Sequence, residues 1–205
     1  MNKGKEIEDK SMLIIDEFLN DTSFSLEELP IVRRILHTTG DPDYRKIISI
    51  QHNFVETAKT LFQNQPKIYC DTRMIEAGVN KRTLAKLGGS IQCLVDDEAV
   101  FAKAKETGDT RSALAVDVAI EKGFRIFVFG NAPTALFRLL QRVDEKKASP
   151  LLVIGVPVGY VGAADSKEAL RHYAIPQLST VGTKGGSNVA ASVVNAILYE
   201  ITERC

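Results

Sequence analysis

Arg125-Ile126-Phe127-Val128-Phe129-Gly130-Asn131-Ala132-Pro133-Thr134 is the stretch that decides the fold. After Arg125, Ile126 to Phe129 form an apolar run rather than an alternating pattern. That is how a central strand covered on both faces reads. Gly130 then breaks the run, and Pro133 stands near the first turn of a following helix, where its missing N–H costs nothing. The same strand-turn-helix unit recurs on both sides. Short apolar segments rich in β-branched residues occupy 47–50, 68–70, 91–95, 151–156 and 177–181. Helical patterns lie between most of the segments, over 53–63, 97–105, 110–122, 133–144, 165–173 and 187–203. This alternation predicts an α/β fold, with a mainly parallel sheet and helices on both faces.

Two helices are expected ahead of the first strand. An amphipathic one covers 7–19, with Ile7, Ile14, Ile15 and Phe18 as its apolar positions. A second starts near Ser25 and runs to about His37. Ser25 and Glu28 have capping-box spacing, and Thr38, Thr39 and Gly40 act as a stop. Pro30 is awkward so early in that helix. With no repeat or long linker in its 205 residues, the chain reads as one domain, 1–205.

Apolar residues make up 44% of the sequence and charged residues 25%, a balance typical of a water-soluble core and surface. The 26 lysines and arginines equal the 26 aspartates and glutamates, so no basic excess argues for nucleic acid. No apolar run approaches the roughly 20 residues needed to cross a bilayer. The charged start, MNKGKEIEDKSMLII, does not resemble a signal peptide, so a cytoplasmic location is expected. Cys70, Cys93 and Cys205 are odd in number and widely spaced, which suggests neither a disulfide framework nor a zinc site. Cys70 and Cys93 sit in apolar segments and read as small core residues.

Three glycine-rich junctions follow strands: Gly130 to Thr134, Gly155 to Ser166, and Gly182 to Asn188. Open sheets of this kind bind ligands at the carboxyl ends of their strands. Glycine lets the backbone approach a ligand, and helix N-termini offer N–H groups to anions. Three such loops on one edge point to a large anionic ligand, although each loop could also be plain turn chemistry. The dinucleotide and Walker A spacings are absent, which disfavours a nucleotide. His37, His52 and His172 lack matched partners at metal-ligand spacing, so no metal site is expected.

His37 is the titratable residue of most interest. At the C-terminal end of a helix the dipole favours imidazolium, which suits a general acid near neutral pH. Arg34, three residues earlier, would oppose that protonation unless a carboxylate offsets it. His37 could equally be a histidine that caps helix-end carbonyls. Arg111 follows Gly108-Asp109-Thr110 at a helix start, where it could hold a carboxylate bidentately or simply be solvated. His52 and His172 read as structural or exposed.

Taken together, these motifs resemble the precorrin-8X and cobalt-precorrin-8 methylmutase family. Arg34-Ile35-Leu36-His37-Thr38-Thr39-Gly40-Asp41 is similar to the segment carrying that family's catalytic histidine. Further matches are Cys70-Asp71 with Met74 and Gly78, Asn80 to Leu84, and Thr110-Arg111-Ser112. The longest are Gly130 to Leu136 and Gly155 to Lys167, and Gly185-Gly186-Ser187 completes the order. The resemblance runs from about residue 5 to 203. It implies an isomerase of cobalamin biosynthesis that moves a methyl group from ring carbon 11 to ring carbon 12 by a [1,5] shift. It also implies a homodimer with active sites near the subunit interface and no organic cofactor, any cobalt arriving with the substrate.

Under this resemblance His37 takes the catalytic position, as proton donor or acceptor to the ring C region. Ser11 and Arg34 match substrate-contacting residues. Arg111, Asn131 and the glycine loops, with Gly159, Gly162, Gly185 and Gly186, are expected to receive the acetate and propionate arms of a corrin precursor. Gly40-Asp41-Pro42-Asp43-Tyr44 looks more like the cobalt-using branch. Product handover to the next enzyme of the pathway is compatible with all of this. Two other readings compete: a tetrapyrrole carrier without catalysis, in which His37 is dispensable, and an unrelated α/β enzyme whose loops bind phosphate.

Overall fold

The computed structural model describes residues 3–202, so Cys205 lies outside the described residues. Six strands form one sheet there: β1 (Ile48–Gln51), β2 (Lys67–Cys70), β3 (Ser90–Cys93), β4 (Ile126–Phe129), β5 (Leu152–Gly155) and β6 (Gln177–Thr180). Their order across the sheet is β1-β6-β5-β4-β2-β3. All neighbours are parallel except β1, which runs antiparallel to β6 at the edge, with Ile48 opposite Thr180. β4 is the buried interior strand that its sequence predicts, and all four of its residues are buried. Its side chains alternate between two cores. Ile126 and Val128 join one cluster, and Phe127 and Phe129 join the other.

Helices cover both faces. The first face carries α1 (Lys3–Leu19), α2 (Leu29–Thr39), α3 (Phe54–Phe62) and α10 (Ser187–Ile201). Two short helices, α4 (Arg73–Gly78) and α5 (Lys81–Lys86), add Ile75 and Leu84 to the same core. The second face carries α6 (Glu98–Thr107), α7 (Arg111–Glu121), α8 (Pro133–Asp144) and α9 (Ala163–Arg171). α10 earns its central place by composition: Val189, Ala190, Val193, Val194, Ile197 and Leu198 are all buried. Each fully buried valine, isoleucine or leucine side chain among them contributes about 1.5–3 kcal/mol.

Two helix boundaries refine the expectations, and two short helices add to them. α1 begins at Lys3, before the apolar pattern, because its polar first turns need no core. α2 begins at Leu29 rather than near Ser25, with Pro30 in its first turn, where proline is tolerated. The Ser25 and Glu28 pairing does form, since the Ser25 N–H donates to Glu28 Oε2 at 2.8 Å, but it closes a turn ahead of the helix. α4 and α5 were not expected, each being too short to display a 3.6-residue period. Cys70 and Cys93 are buried and free, as core residues.

The second core holds an aromatic group. Tyr69 packs against Phe127 and Phe129 with ring centroids 5.7 and 6.1 Å away. Its hydroxyl is buried and finds no hydrogen-bond partner among the described residues. Such an orphan costs about 1–3 kcal/mol, while the ring itself packs well. Tyr69→Phe should therefore raise stability by about 1 kcal/mol, read as a higher urea midpoint at unchanged slope. A lower midpoint would mean that the hydroxyl is satisfied.

Candidate active site

The carboxyl edge of the sheet is stitched together by its loops. The Val158 N–H donates to the Gly130 carbonyl at 3.3 Å, and the Gly159 N–H to that of Thr183 at 3.1 Å. The Gly186 N–H donates to the Val156 carbonyl at 2.9 Å. This closeness requires glycine at 185, because a Cβ there would lie 2.2 Å from the Val156 oxygen. Thr72 Oγ1 and Ser187 Oγ meet at 2.9 Å, tying the end of β2 to the start of α10.

Asp71, directly after β2, anchors this edge. It is almost fully buried, and its carboxylate accepts three backbone N–H bonds. Gly130 reaches Oδ1 at 2.9 Å, and Asn131 and Ala132 reach Oδ2 at 2.9 and 2.7 Å. Burial pushes the carboxyl above its ordinary range, and the three N–H groups pull part of that shift back. The N–H groups of the β4–α8 loop, expected to meet substrate carboxylates, are thus held by a carboxylate of the protein itself. The Asn131 side chain remains exposed beside them.

His37 stands on the other side of this edge, in the last turn of α2. Gly40, in the left-handed conformation, ends the helix, and its N–H caps the Leu36 carbonyl. Thr39 Oγ1 donates to the Ile35 carbonyl at 2.9 Å. The helix end is therefore capped by other groups. Among the described residues none hydrogen-bonds the His37 imidazole. It is half-buried and lines a cavity of about 320 Å³ with Ser11, Ile14, Phe18 and Asp41. α1 supplies Ser11, whose hydroxyl donates to the Ile7 carbonyl at 2.9 Å. The packing of α1 on α2 thus brings Ser11 and His37 into one cavity.

Arg34 lies beside this cavity rather than in its wall. Its Nη1 is 3.3 Å from Glu8 Oε1, and its guanidinium lies 5.1 Å from the Tyr199 ring centre. Glu8 thereby offsets the charge of Arg34. Arg111 begins α7 as expected, but it stands near Asp96 (3.7 Å) and stacks on Phe101, at the β3 end of the sheet and outside the His37 cavity. Gly162 caps the N-terminus of α9. His52 is exposed, and His172 is exposed with Nε2 3.6 Å from Glu168.

Two groups at this edge stand in motifs quoted from the sequence but were given no role there. Asp41 lines the cavity and pairs with Lys184 Nζ at 2.5 Å, which holds its carboxyl below the usual range. Tyr44 donates its hydroxyl to the Gly185 carbonyl at 3.3 Å, so the turn after α2 meets the loop after β6. A larger groove, of about 550 Å³, lies between α7, α8 and α9. Its polar groups are occupied within the protein, Arg138 by Asp109 and Tyr173 by Asp144, so it has little to offer a ligand.

Comparison with known proteins decides the family. The model of the precorrin-8X methylmutase family matches residues 6–200. The chain belongs to that family. It is 44% identical to the cobalt-precorrin-8 methylmutase of Salmonella typhimurium, over 99% of this chain and 98% of that one. It is 34% identical to a Sinorhizobium precorrin-8X methylmutase, over 95% and 93%. The crystal structure of a precorrin-8X methylmutase from Thermus thermophilus superposes with a TM-score of 0.91 at 35% identity, covering 97% of each chain.

As a methylmutase the chain is an isomerase, and its stitched edge has a consequence for precision. An enzyme that only rearranges its substrate depends on fixed geometry. Asp71→Asn should cost about 2–3 kcal/mol, because an amide nitrogen must then face at least one of the three N–H groups. Denaturant unfolding would measure the loss, and hydrogen exchange should quicken over 130–132. Unchanged stability would mean that the carboxylate is not the anchor of this edge.

Proposed function

We propose that the chain catalyses the [1,5] shift of a methyl group from C-11 to C-12 of a precorrin-8 macrocycle, giving cobyrinate or hydrogenobyrinate in cobalamin biosynthesis. The observation that carries this reading is His37: a half-buried imidazole that no described residue hydrogen-bonds, opening into a cavity shared with Ser11. The proton balance is simple. His37 gives a proton to the macrocycle near ring C, which draws electron density away and eases methyl migration, and it takes the proton back once the methyl has moved. No atom is gained or lost, so the scheme calls for no organic cofactor. Any cobalt belongs to the substrate. The cobalt-containing form is favoured by the name of the 44% identical relative.

The cavity is smaller than a corrin with its acetate and propionate arms. α1 exposes Ile7, Leu13 and Ile14, with 58–67% of each in solvent, and Ile14 also lines the same cavity. Apolar exposure on this scale supports a homodimer in which a second copy covers α1 and completes the site. Arg34, Arg111, Asn131 and the loops bearing Gly159, Gly162, Gly185 and Gly186 would then receive the substrate's carboxylates. A cytoplasmic location goes with this reading, and no helix among the described residues is long and apolar enough to cross a membrane.

The test is to mix the purified protein with cobalt-precorrin-8 or precorrin-8X and follow the visible spectrum and the mass. Wild type should change the colour at constant mass. His37→Ala should bind the substrate but turn over at least about a hundredfold more slowly. Binding by both proteins without isomerisation of either substrate would replace catalysis with a carrier role.

A further inference from the structure

Lys167, on α9, is fully buried. Its Nζ donates to the Lys184 carbonyl at 2.7 Å and to Thr180 Oγ1 at 3.1 Å. Thr180 Oγ1 in turn donates to the same Lys184 carbonyl at 2.7 Å. Among the described residues no carboxylate pairs with this ammonium, and the nearby Arg171 adds a like charge. Burial and Arg171 together lower its pKa to about 8. A buried cation without a counter-charge is costly, and methionine would fill the same space without that cost. A purely structural need does not explain a lysine here.

What the ammonium holds is the main chain of one residue whose side chain reaches the active site. Lys184 Nζ meets Asp41 Oδ2 and lies 5.7 Å from the centre of the Tyr44 ring. Asp41 lines the His37 cavity, and its N–H is 3.3 Å from Thr39 Oγ1 at the end of the same helix. The next residue, Gly185, accepts the Tyr44 hydroxyl, and Gly186 is bonded to Val156. We propose that Lys167 is a positioning residue for the methyl shift: from below, it clamps the Lys184 carbonyl and so fixes the Gly185–Gly186 turn and, through the Lys184 side chain, Asp41 in the wall of the His37 cavity. This rests on the methylmutase reading given above. Lys167 itself touches no substrate, because the core encloses it.

Lys167→Met separates this role from a structural one. It removes the charge and the donors while keeping the volume. Stability should stay level or rise, because a buried charge is lost. The value of kcat should nevertheless fall about tenfold with KM within about twofold, as expected when a reacting group drifts from its place. The part of the effect that reaches Asp41 runs through the Lys184 side chain, so Lys167→Met should cost less when added to Lys184→Met than it does alone. Thr180→Val attacks the same clamp from β6 and should lower kcat in the same direction, which keeps the test alive if Lys167→Met folds poorly. Unchanged kcat in both single variants, or independent losses in the double variant, would overturn the proposal. Hydrogen exchange over 182–187 reads the clamp without substrate, and it should quicken in Lys167→Met. Quickened exchange beside a wild type that never turns over would remove the methylmutase reading and leave the clamp. Unchanged exchange would remove the clamp itself.

Discussion

Three backbone N–H groups, those of Gly130, Asn131 and Ala132, converge on the buried carboxylate of Asp71, and the carboxyl edge of the sheet takes its shape from that convergence. β2 and β4 are neighbours whose following helices leave toward opposite faces. In open α/β sheets this is the switch point, where a crevice ordinarily admits a ligand. Here Asp71 bridges the two loops and Ser187 of α10 bonds to Thr72. The crevice is spanned by the protein's own bonds, and the titratable group best placed to act stands elsewhere along the edge, at the corner of α1 and α2.

From Asp71 a line of contacts reaches that corner. Gly130 accepts from Val158, Val156 from Gly186, Gly185 from Tyr44, and Lys184 meets Asp41 next to the His37 cavity. The loops after β2, β4, β5 and β6 are bonded to one another along this side. Such an edge suits a reaction in which the substrate is neither cleaved nor extended. The His37 imidazole, which no described residue hydrogen-bonds, stands beside groups that are tightly tied.

Much of this was legible in the sequence because hydrophobic pattern encodes strand position. The six predicted strands match the observed ones to within about two residues at each end, and His37 falls in the last helical turn as its Thr-Thr-Gly stop implies. Strand direction carries no such pattern, so the antiparallel pairing of β1 with β6 was not visible. The partners of backbone groups were hidden as well. The glycine loop at 130–132 reads as an open anion site, yet Asp71, a residue about sixty positions earlier, fills it. Arg111 was legible at its helix start, but its neighbours Asp96 and Phe101 were not. Lys167 lay within a matching motif and drew no attention, since lysine is ordinarily a surface residue and only the fold reveals its burial.

A crystal structure of the protein with its corrin product tests whether catalysis occurs at the α1–α2 corner with His37 as the acting group. The macrocycle should be seated against Ser11 and His37, with an imidazole nitrogen within hydrogen-bond reach of ring C and a second protomer covering α1. A product bound in the groove between α7 and α8, or one held at the edge with His37 turned away and bonded within the protein, would contradict it.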